Sequence, residues 1–449
     1  MFGIGTRKQA PIPDRTRVVG IDLTASRARA VALAAGRTRA LVLDDPAEDL
    51  LLFLALDRRL PDVGAAGYHL CRKTPHLVCS NFLPQLGHPR RWQAPRCAVT
   101  PESALQTTFE KLRDPVVAET DAAGLSLPAY LTANQVRAAV EQANKAKLPV
   151  RGTASAPLAV AAHRAAWVLS PGTAAVSAAL AARGGVLGMS PEAPDEDNKS
   201  GRDGRGPRED TDDGQPDWVV PMPRPTAGPA AVVVVDADEF ALTASVVGVE
   251  ANEVKSLASA LWPRASLKAW KDRLVDALSD RCIRLCRRDP RDSADAEQAL
   301  YEQLDGALDR TQLGHPVTLG VRGSHWYQDL VLRASDLDGY CAAPAKLGAD
   351  GVRELVRSAN LPVPPRAVWL THAAARLPGL AAAIHQGVPE QTEVLALPPN
   401  AAADAAAALV PFWLTAMIPR VHLDVAIPLV GREAQPNAAL ARSAAPHGI

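Results

Sequence analysis

Short apolar runs alternate with amphipathic segments along most of this chain. Residues 17–35, RVVGIDLTASRARAVALAA, hold two β-branched, apolar runs around a turn, which predicts two strands, and a third strand is predicted at 39–43. Residues 231–245, AVVVVDADEFALTAS, repeat this pattern with a buried strand, a tight turn and a returning strand. The first strand of each pair ends in an aspartate, Asp22 in one case and Asp236 in the other.

Helical patterns lie between the strands. Thr100 before Pro101 predicts a helix start, and Thr132 is expected to cap a helix that carries Val136 and Val140 on one face. Further helices are predicted at 267–288, 293–309, 350–360 and 377–385, and further strands at 124–127, 317–321 and 367–370. Strands that alternate with helices in this way predict an α/β fold.

One acidic segment interrupts the pattern. Residues 191–217 contain ten acidic and four basic residues and no aromatic one, so they cannot bury enough surface to offset the entropy of ordering the chain. A chain of this length is expected to form more than one lobe. The segment then divides it into a flexible N-terminus at 1–16, a first lobe at 17–183, a disordered acidic and Pro-rich insertion at 184–229, a second lobe at 230–419, and a strand and tail at 420–449.

The composition excludes several classes of protein. Lys plus Arg and Asp plus Glu balance at 49 each, so no global field attracts nucleic acid or an anionic membrane. No apolar run approaches the roughly 20 residues that span a bilayer, and the first residues do not resemble a signal peptide. Six cysteines in 449 residues are too few for a disulfide scaffold. We therefore expect a cytoplasmic protein.

Seven short motifs follow one another in a fixed order. They are GIDLTASRARA at 20–30, LPAYLTANQVRAAVEQANKAKLPV at 127–150, ASAPLAVAAH at 154–163, VVDADEFALTAS at 234–245, WKDRLVDAL at 270–278, LTHAAARLPGL at 370–380 and HLDVAIPLVG at 422–431. This succession resembles the nucleotide-binding domain of the DnaK-type 70-kDa heat-shock chaperones. The resemblance implies a duplicated, ribonuclease-H-like fold of two lobes, as in actin and hexokinase, without the chaperones' peptide-binding domain.

The first phosphate-binding hairpin of that family is altered in this chain. The resemblance implies that backbone N–H groups in a Gly-rich turn hold phosphate, because glycine permits φ > 0 and close backbone approach. Asp22 is kept, but Thr24 stands where the family has glycine, and Ala25 and Ser26 stand where it has two threonines. The turn therefore lacks the residues that the family uses to approach a phosphate.

The second hairpin departs further from the family. Asp236 is kept, whereas Asp238, Glu239 and Phe240 replace three glycines. A carboxylate about 4 Å from a phosphate charge costs roughly 4 kcal/mol at an effective dielectric constant of 20. We expect this turn to reject ATP, and with it the chain to be a pseudo-ATPase without catalytic residues or a cofactor.

Other matched positions have also changed. Ala156 stands where the family has the glutamate expected to organise metal-bound water. The lysine expected to polarise the phosphoryl group has no clear equivalent, and Pro84 or Gln85 falls in its place. In the adenosine motif His372 and Ala373 replace a glycine pair, while Arg376 matches. Because phosphoryl transfer depends on positioning and charge neutralisation, these changes favour an inactive site.

An active enzyme is the alternative. Asp22 and Asp236 are paired carboxylates of the kind that suits Mg²⁺, so a divergent ATPase could use ATP with magnesium, with Arg376 stacked on adenine. The structural interpretation is that each aspartate satisfies the N–H groups of its turn. A relative of the sugar kinases is a third interpretation, but nothing in the chain resembles a sugar site.

A His and Cys cluster raises the possibility of zinc. Three His and three Cys occur within 29 residues, namely His69, Cys71, His76, Cys79, His88 and Cys97. Such side chains can form a tetrahedral Zn²⁺ site, but no pair has the usual C-x₂-C spacing. The alternative is that they are isolated residues of a β-rich subdomain.

The resemblance also implies protein partners. A chain with this fold and no nucleotide site would act as a binding or scaffold module that contacts a J-domain cochaperone, an exchange factor or another protein. The linker-like strand at 423–431, LDVAIPLVG, has alternating apolar residues that can pair with a sheet edge.

Overall fold

The computed structural model describes residues 17–169, 230–418 and 426–430. The predicted flexible N-terminus at 1–16, the predicted insertion at 184–229 and most of the predicted tail at 420–449 lie outside the described residues. We call residues 17–169 the first half and residues 230–418 the second half. Within these ranges the chain has the mixed α/β fold that its pattern predicts.

The first half contains eleven strands and four helices. The strands are β1 (Val18–Leu23), β2 (Arg27–Ala34), β3 (Arg37–Ala40), β4 (Asp49–Leu51), β5 (Leu54–Ala55), β6 (Asp62–Val63), β7 (Val78–Cys79), β8 (Trp92–Gln93), β9 (Ala98–Val99), β10 (Ala123–Leu127) and β11 (Val150–Ser155). The helices are α1 (Ala65–Tyr68), α2 (Pro101–Val117), α3 (Ala133–Lys145) and α4 (Ala156–Leu169).

The second half and the segment that follows it contain eight strands and seven helices. The strands are β12 (Ala230–Ala237), β13 (Leu242–Val249), β14 (Glu253–Trp262), β15 (Val317–Gly323), β16 (Trp326–Leu332), β17 (Ala367–Leu370), β18 (Glu393–Ala396) and β19 (Ala426–Pro428). The helices are α5 (Leu267–Cys286), α6 (Ala294–Gln312), α7 (Ala334–Tyr340), α8 (Ala342–Ser358), α9 (His372–Ala375), α10 (Leu380–Gly387) and α11 (Ala401–Leu414).

The two large sheets have the same strand order. In the first, β3, β2 and β1 are antiparallel neighbours and β10 and β11 continue the sheet in parallel. In the second, β14, β13 and β12 are antiparallel neighbours, followed by the parallel strands β17 and β18. β1 and β12 hold equivalent central places, so Asp22 and Asp236 lie near the same end of equivalent strands.

Local sequence signals explain where several helices begin. Thr100 and Ser103 form a reciprocal capping box at the start of α2, and Thr132 and Gln135 form another at the start of α3. Ser266 caps α5 by accepting a hydrogen bond from the N–H of residue 269. No helix in the described ranges is long and apolar enough to cross a bilayer.

Helix α11 belongs to the second half but packs on the first sheet. A Cβ atom on Gly20 would lie 1.8 Å from the Ala403 carbonyl oxygen, and one on Gly124 would lie 2.4 Å from that of Ala406. Such close contact between a helix and a sheet requires glycine in the strands and alanine in the helix. This helix, which the pattern analysis above does not predict, therefore ties the two halves together.

Some predicted elements have different bounds. The strand predicted at 39–43 lies at 37–40, and the helix predicted at 350–360 begins eight residues earlier, in α8. The helix predicted at 377–385 begins after Gly379, which has a φ of 75° that favours glycine. The linker-like strand is described only at 426–430, where β19 pairs with the edge strand β14.

Candidate functional site

The turns of the two hairpins contact each other directly. The first turn follows β1, the second follows β12, and both sit at the end of their sheet where the aspartates lie. The Ala25 N–H donates a hydrogen bond to the Asp238 carboxylate (3.0 Å), and the Glu239 N–H donates one to the Ser26 hydroxyl (2.7 Å). Residues 213 positions apart in the chain are thereby joined without any intervening ligand.

Thr24 satisfies the remaining donors of the first turn. Its hydroxyl oxygen accepts hydrogen bonds from the Ser26 and Arg27 N–H groups, both at 3.2 Å. A threonine side chain that closes a turn in this way is a common local motif. Thr24 therefore occupies N–H groups that a phosphate bound at this turn would need.

In the second turn Asp238 accepts hydrogen bonds from the backbone N–H groups. Its carboxylate accepts hydrogen bonds from the Phe240 N–H (2.9 Å) and the Ala241 N–H (3.0 Å), as well as from the Tyr130 hydroxyl (2.7 Å). The side chain is buried, and burial raises the pKa of its carboxyl group while these donors oppose the rise. All six N–H groups of residues 25–27 and 239–241 thus donate to protein oxygen atoms.

A cleft of about 320 Å³ is lined by residues of both turns and by both strand-terminal aspartates. Asp22 is buried, and burial raises the pKa of its carboxyl group. Burial and the neighbouring Asp22 raise the pKa of Asp236 to about 7, although the Thr371 hydroxyl donates a 2.5 Å hydrogen bond to it. The two carboxyl groups therefore face each other in a site that disfavours a second negative charge.

Two arginines and an aspartate fill the first-half side of the cleft. Arg27 donates to Asp49 at 2.8 Å, and Arg29 donates to both carboxylate oxygens of Asp49 at 2.6 and 2.8 Å. Burial alone would raise the pKa of Asp49, but the two guanidinium groups lower it. Sequence reasoning missed this triad, although the spacing of the arginines along β2 places both on one face of the strand.

Glu239 takes part in a buried ion cluster. Its carboxylate lies 3.7 Å from the Lys271 ammonium, which also contacts Asp305 at 2.7 Å. Glu239 and Lys271 are 4% and 2% exposed, so these charges are held in a nearly dry environment. Burial would raise the pKa of Asp305, but Lys271 and Arg376 lower it well below its ordinary value. No local pattern around Lys271 indicates this contact.

The adenosine-motif positions line the same cleft. Arg376 donates to Asp305 at 2.8 Å and to Asp309 at 3.2 Å, so its guanidinium is engaged by two carboxylates. His372 lies 3.6 Å from Asp309, and burial and the Arg376 charge lower its pKa to about 4. Ala373 is buried beside it. His372 is therefore neutral at pH 7 and adds no positive charge for an anion.

Contacts between the two halves lie beside the cleft. They join α1 and the residues after it to helices α5 and α6. The Tyr68 hydroxyl donates to Asp305 (2.8 Å), and the Gln298 amide donates to the Tyr68 carbonyl (2.8 Å). Arg72 pairs with Asp272 on α5 and stacks on the Tyr301 ring at 4.4 Å. These direct contacts hold the two halves of the chain together.

The charge balance of the cleft is unfavourable for a polyanion. Seven carboxyl groups line it, those of Asp22, Asp49, Asp236, Glu239, Glu302, Asp305 and Asp309, against the four cations Arg27, Arg29, Lys271 and Arg376. Each of these cations already contacts at least one carboxylate. A triphosphate would therefore compete with internal ion pairs rather than meet free positive charge.

The predicted His and Cys cluster is dispersed over several contacts. His69 pairs with Glu302 at 2.8 Å, the Cys71 thiol contacts the Gly67 carbonyl at 3.7 Å, and Cys97 contacts the Leu56 carbonyl at 3.6 Å. Cys79 is buried, and burial raises the pKa of its thiol. In the part of the chain that the structure describes, no three His, Cys, Asp or Glu side chains form a group that could hold a metal ion.

Comparison with known proteins adds no relative. No protein-family model matches the sequence, and no curated protein matches it significantly. The resemblance described above therefore remains a prediction from the succession of motifs.

Proposed function

We propose that this chain is a cytoplasmic, heat-shock-chaperone-like nucleotide domain with an actin-like, two-lobed fold that has become a pseudo-ATPase and acts as a binding or scaffold module. The seven ordered motifs support the relation to the family. The equal strand order of the two large sheets agrees with a duplicated fold, as do Asp22 and Asp236 at equivalent strand ends.

The occupied turns are the observation that carries this proposal. A phosphate held by the two hairpins would need backbone N–H groups from both turns. Here the Thr24 hydroxyl, the Ser26 hydroxyl and the Asp238 carboxylate accept all six of them. The Asp238 carboxylate thus takes the place that an external anion would need.

The direct contacts between the two halves support a scaffold role. In a nucleotide-dependent domain the bound ligand bridges the two halves, and its loss allows them to separate. In this chain the Tyr68 and Arg72 side chains of the first half contact Lys271, Asp305 and Asp272 of the second half and so bridge the halves. One fixed surface would then be presented to a protein partner, such as a J-domain cochaperone or an exchange factor, whether or not nucleotide is present.

The alternative is a divergent ATPase that binds ATP with magnesium. One observation favours it, because Asp22 and Asp236 line the same cleft, where burial and then the charge of Asp22 raise the pKa of Asp236. Two such carboxylates are suitable ligands for a hydrated Mg²⁺ ion. This function requires the hairpins to separate and release the Asp238 carboxylate.

Calorimetric titration of the full chain with Mg-ATP distinguishes the two functions. The pseudo-ATPase predicts no heat of binding at nucleotide concentrations up to about 1 mM, which corresponds to a binding free energy weaker than about −4 kcal/mol. Micromolar binding that disappears in Asp22→Ala and persists in the exposed control Asp280→Ala would establish the ATPase instead.

A further inference from the structure

A second groove lies outside the cleft and spans both halves of the chain. Its volume is about 510 Å³, and its lining includes Arg90 and Trp92 from the first half and Phe240 and Lys268 from the second. No carboxylate lines this groove, in contrast to the cleft. Lys268 pairs with Asp272 at 2.5 Å, whereas the Arg90 guanidinium has no acidic partner in the described ranges.

The groove continues into an exposed arginine surface, defined by Arg58, Arg59, Arg90, Arg91 and Arg96. All five side chains are exposed, and none has a carboxylate within 4.0 Å among the residues that the structure describes. The Cys97 thiol contacts the Leu56 carbonyl at 3.6 Å and so brings the loop after β5 to the β8–β9 hairpin. Residues 57–97 also hold Arg72 and Lys73, which pair with acidic residues of the second half. The five arginines of the surface outnumber the two Asp of this range, which leaves the surface positive although the whole chain is neutral.

Asn81 marks a polar contact point inside the groove. Its side-chain carbonyl oxygen is buried and accepts no hydrogen bond within the described residues. Its backbone has a φ of 52°, in the left-handed region. A buried acceptor without a donor is unfavourable by about 1–3 kcal/mol, so a ligand that brings an N–H group to this point would be stabilised.

The aromatic residues argue against nucleic acid as the ligand. Arg90 covers the Trp92 ring at 4.8 Å, and Phe240 packs against Tyr130 with ring centroids 5.1 Å apart. Binding of single strands commonly uses aromatic faces on which bases stack, and here both rings are already engaged. An extended peptide instead supplies carboxylates for the arginines and backbone N–H groups for Asn81.

We propose that the groove and the arginine surface together dock an extended acidic segment of a partner protein. Electrostatic attraction to unpaired arginines would steer the segment, and the groove would hold its backbone. Because Trp92 and Phe240 belong to different halves, the docked segment also bridges the two halves. This interaction needs no nucleotide, so it can be tested whether or not the cleft binds ATP.

Fluorescence polarisation of a labelled oligoglutamate peptide on the full chain tests the docking surface. We expect binding that weakens as NaCl is raised, and a loss of about tenfold or more in Arg90→Glu/Arg91→Glu. Arg284→Glu/Arg288→Glu is the matched control, because these two arginines on or just after α5 are also exposed and form no ion pair within the described residues. The control is expected to bind within about twofold of the unaltered chain.

Three results would overturn the proposal. One is no measurable peptide binding at low salt, and another is an equal loss of affinity in the two double variants. The third is that a single-stranded oligonucleotide of the same charge binds more tightly than the peptide and loses affinity in Arg90→Glu/Arg91→Glu. That result would identify the surface as a nucleic-acid site. Circular dichroism shows whether each variant is folded, so a loss of affinity in a folded variant can be assigned to lost contacts. Asn81→Ala is a second groove variant and is tested in the same way.

Discussion

Removal of the Asp238 carboxylate is the sharpest test of how the two hairpins are held together. The Asp238→Ala variant leaves the donors of Ala25, Phe240, Ala241 and Tyr130 without their acceptor. The site is buried, with Asp238 only 2% exposed, so water cannot fully replace the carboxylate. The variant should lose stability and weaken the contact between the halves.

The magnitude follows from the four hydrogen bonds. Each hydrogen bond to a charged group contributes about 1.5–3 kcal/mol, but the variant also escapes the several kcal/mol that it costs to bury a carboxylate. We expect a net loss of about 3–5 kcal/mol in the free energy of unfolding. For a chain of this size that corresponds to a fall in Tm of about 4–6 °C.

Thermal melting with and without formate measures this effect. Formate has the carboxylate that the variant lacks, and at about ten times its dissociation constant it should restore about 1.4 kcal/mol to Asp238→Ala. The matched control is Asp280→Ala, which loses only an exposed contact to Arg291 at 3.5 Å and should change stability by less than about 0.5 kcal/mol. Neither the control nor the unaltered chain should respond to formate beyond its response to chloride.

Two results would refute this reasoning. If Asp238→Ala melts at the same temperature as the unaltered chain, the carboxylate does not hold the hairpins together. If chloride rescues the variant as well as formate does, the effect is one of ionic strength rather than of a vacant carboxylate site.

Three further predictions test other parts of the molecule. Folding raises the pKa of Asp236 from 3.8 to about 7. The stability that this group contributes is therefore full below the unfolded pKa and is lost as pH rises through 7. Urea titrations should show that the free energy of unfolding falls by about 1 kcal/mol from pH 6 to pH 8, and that this fall is absent in Asp236→Asn. Lys271→Met should destabilise the chain by about 3–5 kcal/mol in urea because it leaves the buried Glu239 without the cation beside it and removes one of the two cations that contact Asp305. A loss below about 1 kcal/mol would contradict the buried cluster. Gly20→Ala should destabilise the chain by about 3 kcal/mol or more because the added Cβ would collide with α11. Gly306→Ala should stabilise it by about 0.5–1 kcal/mol, because Gly306 lies within α6 and a Cβ there meets open space. Equal melting temperatures for the two variants would contradict the packing of α11.

Local signals determined much of the secondary structure. The runs around Asp22 and Asp236 form the expected hairpins because β-branched residues and tight turns act over a few positions. Thr100 and Thr132 start helices because their side chains bond N–H groups three residues away. The α/β class followed from the alternation of these elements.

Tertiary structure decided which groups the site brings together. The sequence indicated that Asp238 and Glu239 are unsuited to a turn that holds phosphate. It did not indicate that Asp238 accepts a hydrogen bond from the Ala25 N–H, or that Glu239 forms an ion pair with Lys271. It likewise gave no sign that α11 would pack on Gly20. These contacts join residues far apart in the chain, and their energy depends on burial and geometry that only the folded chain provides, whereas caps and turns depend on neighbours that the sequence already displays.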